Sequence, residues 1–397
     1  MISVKLMTEL KKYSLYLQKK NMKIKRYYED NILSDISPGK VLVILGARRT
    51  GKTELIKTTI GLCNEAYILL NGDDIDTHSI LEPRTESNYK RLLGNIRFLI
   101  IDEAQEIPEI GQKLKLMVDT IPGLKVLITG SSAFEINNQI GGPLTGRMKS
   151  LFLYPLAQLE FAFHESYIDT RRKLEERLIF GSYPELSSIE NTQDKITYLK
   201  EIVNNHLLRD IFAFEGIKKR DKVINLLQKL AFRTGSEVSI EGIAKEIGVS
   251  KNTADKYMDL FTKVFILYSV SGFSRNRDNE ISKMKKWYFY DNGIRNALIN
   301  SFNKLNMRED LGILWENYLN SERKKYLDYK RDYVLEYFWR THSKQEIDRI
   351  EEKNNKIIAL EYKYRVKNVK IPSEFKQAYP DSKFYLINQD NYLDFIT

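Results

Sequence analysis

Over the first 155 positions, short unbroken apolar runs alternate with segments whose apolar residues recur at helical spacing. The runs are Val41 to Leu45, Ala66 to Leu70, Phe98 to Ile101, Lys125 to Thr129 and Leu151 to Leu153. Their length and their content of Val, Ile and Leu fit strands buried on both faces rather than helices. Between the first two, Leu55, Ile56 and Ile60 follow the helical period. This alternation predicts a mostly parallel sheet with helices on both faces. After Pro155 the period becomes helical and stays so to about residue 265.

A second pattern lies inside that helical stretch, in IEGIAKEIGVSKNTADKYMDLFTKVFIL. A short helix from about Ile240 would turn Ile243, Ala244 and Ile247 inward. Gly248 makes the turn and Ser250 caps the next helix, which would bury Ala254, Tyr257, Met258, Phe261 and Val264. Two helices joined in this way make a helix-turn-helix. Lys251, Asn252, Thr253 and Lys256 would face outward at its leading end, where DNA-reading helices contact bases. Asp255 and Asp259 share that side and weaken it for phosphate. DNA contact and protein docking both fit this face. Arg275, Arg277, Lys283, Lys285 and Lys286 follow, either as a wing on a nucleic-acid backbone or as an exposed loop.

Chemistry enters at the end of the first run. Val41 to Leu45 leads into Gly46-Ala47-Arg48-Arg49-Thr50-Gly51-Lys52-Thr53, the strand, glycine loop and helix start of a phosphate-binding loop. Gly46 and Gly51 are expected to let the backbone turn so that successive N–H groups point into one concavity. Lys52 would reach the β- and γ-phosphates, and Thr53 would offer its hydroxyl to Mg²⁺. The third run ends in Asp102-Glu103. Asp102 is placed to hold Mg²⁺ through water and Glu103 to polarise the water that attacks the γ-phosphate. The fourth run ends in Gly130-Ser131-Ser132, and either serine could sense the γ-phosphate.

The tail holds a further set in FWRTHSKQEIDRIEEKNNKIIALEYKY. Glu361 and Lys363, two apart on a strand expected from Ile357 to Tyr364, emerge on one face. These residues are either surface charges on a hairpin or a site in which Asp348 and Glu361 share a divalent metal, Lys363 orients or deprotonates a water, and Glu316 completes the set. His342 and Glu346 lie nearby without metal-site spacing.

The chain of 397 residues is 42% hydrophobic, enough for two or three domains with cores of their own. One cysteine, Cys63, excludes an internal disulfide and fits a reducing compartment. No run approaches membrane-spanning length and the start lacks a signal-peptide pattern, so a cytoplasmic protein is expected. The formal charge of +10 favours a polyanionic partner. Nine basic residues (Lys5, Lys11, Lys12, Lys19, Lys20, Lys23, Lys25, Arg26, Lys40) against four acidic ones stand in residues 1–40. That leader would lie on nucleic acid or pack as a solvated helix. From residue 305 onward, 17 basic and 16 acidic residues balance, so the tail is no basic clamp.

GARRTGKT, LIIDEAQ, LITGSSA, LTGR (144–147) and YPLAQLEF (154–161) resemble the AAA-type P-loop ATPases of archaea and bacteria. The likeness continues through FGSYPEL (180–186), LLRDIF (207–212), WYFYDNGIRNAL (287–298) and WEN (315–317). It implies an α/β chain: a parallel P-loop sheet of AAA+ type, a helical and winged-helix region, and a C-terminal α/β domain of PD-(D/E)xK nuclease-like fold. The corresponding layout is a basic leader (1–35), an ATPase core (36–165), a helical region (166–300) with the winged helix at about 225–290, and the tail (301–397). The resemblance makes Arg147 a nucleotide-contacting residue in its own subunit or a neighbour's. ATP and Mg²⁺ are the implied cofactors, with a second divalent metal in the tail. Double-stranded DNA and a protein are the candidate partners, and no membrane is expected. Three functions follow: an ATPase driving motion of the downstream parts, a metal-dependent DNA nuclease gated by the ATPase, or a non-enzymatic nucleotide switch that docks a protein. The oligomeric state stays open, because members of this group need not form rings.

Overall fold

The computed structural model describes residues 24–131, 142–213, 219–274, 285–341 and 343–397. The leader as far as Lys23, Ser132, Arg275, Arg277, Lys283 and His342 lie outside the described residues. The described end of the leader forms a 3-10 turn, Tyr27–Asp30, and a single helical turn, Ile32–Asp35. Tyr28 and Ile32 pack against Leu42 and Ile44, while Asp30, Asn31, Leu33 and Ser34 are exposed.

The first sheet has five strands: β1 (Lys40–Leu45), β2 (Ile68–Asn71), β3 (Phe98–Asp102), β4 (Lys125–Gly130) and β5 (Met148–Phe152). Their order is β2-β3-β4-β1-β5 and every pairing is parallel. Alternate residues of β1 enter two cores. Val41, Val43 and Leu45 meet Leu81, Tyr89, Leu114 and Met117 on one face. Leu42 and Ile44 meet Leu55, Ile56 and Tyr154 on the other. Each fully buried aliphatic side chain contributes about 1.5–3 kcal/mol. The edge strands depart most from the sequence expectation. β2 starts two residues late, and β5 begins at Met148 because pairing with β1 also recruits the polar Lys149 and Ser150. An edge strand needs less apolar sequence than a central one, so its ends are poorly marked.

Helices follow between Gln158 and Ala213, with a π-helical stretch at Ile202–Leu207 that continues into the helix Leu208–Ala213, and again at Arg220–Phe232. The helices Ile240–Ile247 and Lys251–Lys263 are joined through Gly248, whose φ is +70°. Ile243, Ala244, Ile247, Ala254, Tyr257, Met258, Phe261 and Val264 are all buried. Lys251, Asn252, Lys256, Asp255 and Asp259 are exposed as expected. Thr253 is not: half-buried, it donates its N–H to the Ser250 hydroxyl at 3.2 Å, and the two hydroxyls lie 2.8 Å apart.

The second sheet has seven strands: β6 (Glu237–Val238), β7 (Leu267–Gly272), β8 (Lys285–Phe289), β9 (Leu335–Arg340), β10 (Glu346–Lys353), β11 (Lys356–Tyr362) and β12 (Lys383–Ile387). Their order is β12-β11-β10-β9-β7-β8-β6. The antiparallel hairpin β7–β8 joins the tail strands through a parallel register, Ser271 beside Tyr337 and Gly272 beside Phe338. Residue 300 therefore marks no break in the sheet. One hydrophobic core runs from Leu174 through Phe261 and Trp315 to Ile396.

The later motifs build a buried polar junction inside that core. The Asp291 carboxylate caps the helix Asn292–Leu298, accepting from Gly293 N at 2.8 Å, and also accepts from Ser182 N at 2.7 Å. Asn317 accepts from Phe289 N at 2.8 Å and donates to Asn292 Oδ1 at 2.7 Å. Asn296 donates to Ile179 O at 2.7 Å. FGSYPEL, WYFYDNGIRNAL and WEN thus meet in space, and each buried amide finds a partner. Among the described residues no helix is long and apolar enough to cross a membrane.

Candidate nucleotide site

Because β4 lies between β1 and β3, the carboxyl ends of these three strands stand side by side, where open α/β sheets bind ligands. The loop after β1, Ser131 after β4 and the Asp102-Glu103 pair after β3 converge there. Thr53 Oγ1 donates to Asp102 Oδ2 at 2.7 Å. Thr129, the last polar side chain of β4, donates its hydroxyl to Asp102 Oδ1 and accepts from Glu103 N at 3.0 Å. Sequence reading missed Thr129, although its place at the strand end was visible.

The loop glycines act for different reasons. Gly51 has φ +95°, in the region that favours glycine. A Cβ on Gly46 would lie 2.1 Å from the Leu153 carbonyl oxygen, so closeness of the neighbouring chain demands glycine there. Gly46 N donates to Gly130 O at 3.3 Å and ties the loop to β4 instead of facing the concavity. The helix Lys52–Leu62 starts directly after Gly51. Lys52 is buried, and its Nζ donates to Gly46 O at 3.0 Å and Ala47 O at 3.2 Å. Burial lowers its pKa from the usual lysine range, while Glu103 and Asp102 oppose that shift. Thr50 Oγ1 donates to Ala47 O at 2.8 Å.

Glu103 stands in the left-handed region with φ 48°, against a glycine, Gly72, whose Cβ would meet the Glu103 carbonyl at 2.1 Å. Gln105 Nε2 donates to Glu103 Oε2 at 2.6 Å and to the buried Ser131 Oγ at 3.4 Å. Gln105 therefore links the proposed base to the proposed sensor, a role the sequence did not disclose. Arg26 was counted with the basic leader but is 4% exposed. It donates to Glu160 Oε1 at 2.9 Å, Tyr154 O at 2.8 Å and Tyr329 OH at 3.2 Å, and also to Thr50 O of the phosphate loop.

Arg147 is out of reach of its own phosphate loop. Its carbonyl accepts from Val41 N at the far end of β1, about 17 Å from the loop at ~3.3 Å per strand residue. Its guanidinium pairs with Asp119 at 2.6 Å.

In the tail, the structure gathers Glu316, Asp348, Glu361 and Lys363. Asp348 sits where the β9–β10 register shifts, a bulge that aims it at the end of β11, and it accepts from Tyr362 N at 2.7 Å. Lys363 lies one residue beyond β11, with Nζ 2.6 Å from Glu361 and 3.9 Å from Asp348. Glu316 accepts from Tyr288 OH at 2.7 Å, and burial pushes its pKa up to about 7, with Asp348 adding to the rise and Lys286 opposing it. Burial likewise raises Asp348 and Glu361. Lys286, 1% exposed, enters from β8 and pairs with Glu316 at 3.4 Å and with Glu346. Among the described residues no group of three or more His, Cys, Asp or Glu side chains is arranged to hold a metal ion. The ammonium groups of Lys286 and Lys363 stand against these carboxylates.

A parallel sheet with a GxxxxGKT loop, a Thr–Asp pair and an acid at adjacent strand tips defines a P-loop nucleotide-binding domain. Residues 38–162 match the family model of the AAA domain, so this part of the chain is an AAA-type P-loop ATPase domain. Residues 171–305 and 311–394 match two family models, each described as a domain of unknown function. An uncharacterized protein of Methanocaldococcus jannaschii is 26% identical over 320 residues, covering 76% of this chain and 71% of its own. Another, of Haemophilus influenzae, is 24% identical over 284 residues, covering 65% and 69%. A third, of Mycobacterium tuberculosis, is 22% identical over 337 residues, covering 84% and 71%. Among solved structures, one of katanin self-assembly is 19% identical over 41% of this chain, with a TM-score of 0.24. A Bacteroides Pif1 helicase with ADP-AlF3 and single-stranded DNA is 15% identical over 46%, with a TM-score of 0.26. The chain spans 58% and 50% of these two solved proteins.

Proposed function

We propose that the chain hydrolyses ATP and couples the state of the phosphate loop to a winged-helix unit, formed by the helices 240–263 with the β7–β8 hairpin, and to a nuclease-like tail, acting on DNA. One observation carries this reading: Thr53 and Asp102 meet at 2.7 Å beside the buried Lys52, with Glu103 held next to them by Gln105. A hydroxyl and a carboxylate are the oxygen donors that suit Mg²⁺ with ATP. Mg²⁺ bound there would neutralise phosphate charge. Lys52 would bind the β- and γ-phosphates, Glu103 would take the proton of the attacking water, and Ser131 would meet the γ-phosphate.

The test is phosphate release by wild type, Lys52→Ala and Glu103→Gln, each with and without double-stranded DNA. Expected are no nucleotide binding by Lys52→Ala and binding without turnover by Glu103→Gln. Equal hydrolysis by all three would overturn the reading. Stimulation by duplex DNA would support the DNA arm, and its absence would move the coupled target to a protein.

The tail carboxylates support a second reading, a metal-dependent nuclease gated by the ATPase. It is supported by the closeness of Asp348, Glu361 and Lys363 near the end of β11, with Glu316 reaching them from the helix Leu311–Lys330. Plasmid cleavage in Mg²⁺ or Mn²⁺ that is lost in Asp348→Ala and Lys363→Ala would establish it; identical behaviour of wild type and variants would remove it.

A further inference from the structure

The phosphate loop carries two arginines, Arg48 and Arg49, between its glycines, and both engage the middle region. Arg48 Nε donates to both carboxylate oxygens of Asp210, at 2.7 and 3.0 Å. Its Nη2 stands 3.7 Å from Glu106. Arg49, at φ 65°, aims Nε at His206 Nε2, 3.3 Å away. Asp210 is 10% exposed, and its field also reaches Lys52 and Glu103. A carboxylate from a different region of the chain therefore sits inside the nucleotide site.

The segment that carries it links the phosphate loop to the core of the middle region. Its first six residues, Ile202–Leu207, are π-helical, a geometry that recurs at functional sites. Its other face, with Ile202, Val203, Leu207, Leu208 and Ile211, is buried in the core shared by the middle region and the tail. That core also holds Leu267, Trp287 and Phe289 of the hairpin and Leu360, Tyr362 and Ile396 of the tail.

We propose that Asp210 is a positioning residue of the nucleotide site, holding Arg48 where a nucleoside triphosphate would otherwise take it, so that binding exchanges Asp210 for phosphate and frees the segment Ile202–Ala213 from the loop. The proposal rests on the phosphate-loop reading above. A guanidinium pairs with either anion through the same planar fork, and a triphosphate carries several times the charge of one carboxylate. A phosphate at the loop also repels Asp210, so the two anions exclude each other. Binding then shifts the segment because it has differential affinity for the two arrangements.

Amide hydrogen exchange of residues 202–213 tests this, with and without a slowly hydrolysed ATP analogue and Mg²⁺, alongside nucleotide affinity. In wild type, saturating analogue should speed exchange there. In Asp210→Asn, exchange should already be fast, and the analogue should bind about five- to tenfold more tightly. In Arg48→Ala, exchange should be fast and unresponsive. Arg48→Lys, which keeps the charge but not the fork, should respond weakly. Unchanged or slower exchange in wild type at saturation, or weaker binding by Asp210→Asn, overturns the proposal. Failure of wild type to bind the analogue, or equal binding by Lys52→Ala, overturns the phosphate-loop reading and the proposal together.

Discussion

The Thr53 hydroxyl, in the first turn of the helix after β1, donates to the Asp102 carboxylate at the tip of β3 at 2.7 Å. The two residues are 49 positions apart in the chain. Their contact makes a specific demand on the metal. Asp102→Asn should keep the fold but lose Mg²⁺-dependent affinity. Nucleotide dissociation constants measured with Mg²⁺ and with EDTA should differ strongly in wild type and by less than about threefold in the variant, a span of under ~1 kcal/mol. A metal dependence equal to wild type would show that Asp102 does not serve the metal.

Arg26 and Glu160 form a buried ion pair at 2.9 Å, with the Glu160 side chain 0% exposed. Arg26→Met removes the cation and leaves the buried Glu160 carboxylate with backbone N–H donors only, which should cost about 3–5 kcal/mol. Urea unfolding is the measurement. Arg26→Met combined with Glu160→Gln should recover part of that loss, because no unpaired charge then remains. A single variant as stable as wild type would mean that Glu160 finds water or another cation.

Gly293 and Gly312 are helical glycines with opposite surroundings. A Cβ at Gly293 would meet the Phe180 carbonyl oxygen at 2.0 Å, and one at Gly312 would meet nothing within 4 Å. Gly293→Ala should destabilise by about 1–3 kcal/mol, as overpacking does. Gly312→Ala should be neutral or stabilising by up to ~1 kcal/mol. Thermal unfolding of the two variants should move in different directions; equal shifts would contradict the packing at Asp291.

Asp310 gives a pH signature. Burial alone would raise its pKa, but hydrogen bonds from Arg308 and Arg295 outweigh it and bring the carboxyl down to about 2. Arg308 holds both oxygens at 2.8 Å. A depressed carboxylate adds stability that is fully present above its unfolded pKa and fades as pH falls toward the folded value. Asp310→Asn should therefore cost about 2 kcal/mol at pH 7, and the deficit should shrink as the pH falls from about 4 toward 2. Denaturant unfolding at pH 7 and pH 3 checks this; a constant deficit would place the effect in packing.

The phosphate loop, the Asp102-Glu103 pair and the central strands were legible because their information is local. A buried parallel strand must be continuously apolar, and a loop that cradles phosphate needs glycine and lysine at fixed spacing. The helix-turn-helix pattern was legible for the same reason, since Ile243, Ile247, Tyr257 and Phe261 keep the 3.6-residue period. Thr253 was misplaced because a cap is local chemistry that overrides the face its spacing suggests.

Other contacts carried no such signal. Arg26, Gln105 and Asp210 look like ordinary polar residues until folding sets them beside Glu160, Glu103 and Arg48. Arg147 carried no sign of which subunit's nucleotide it would meet, until the β1–β5 register put it at the end of the sheet away from its own phosphate loop. The tail carboxylates converge, yet Lys286, remote in sequence from them, comes in on β8 as their buried counter-charge.

Chain order alone thus marked the central strands, the two helices around Gly248 and the phosphate-loop motif, because backbone periodicity and local motifs need no distant partner. Only the tertiary structure decided which charges meet, that the hairpin and tail strands form one sheet, and that Asp210 shares the nucleotide site. Pairings of that kind depend on strand order and register, which couple residues up to hundreds of positions apart and leave no periodic trace along the chain.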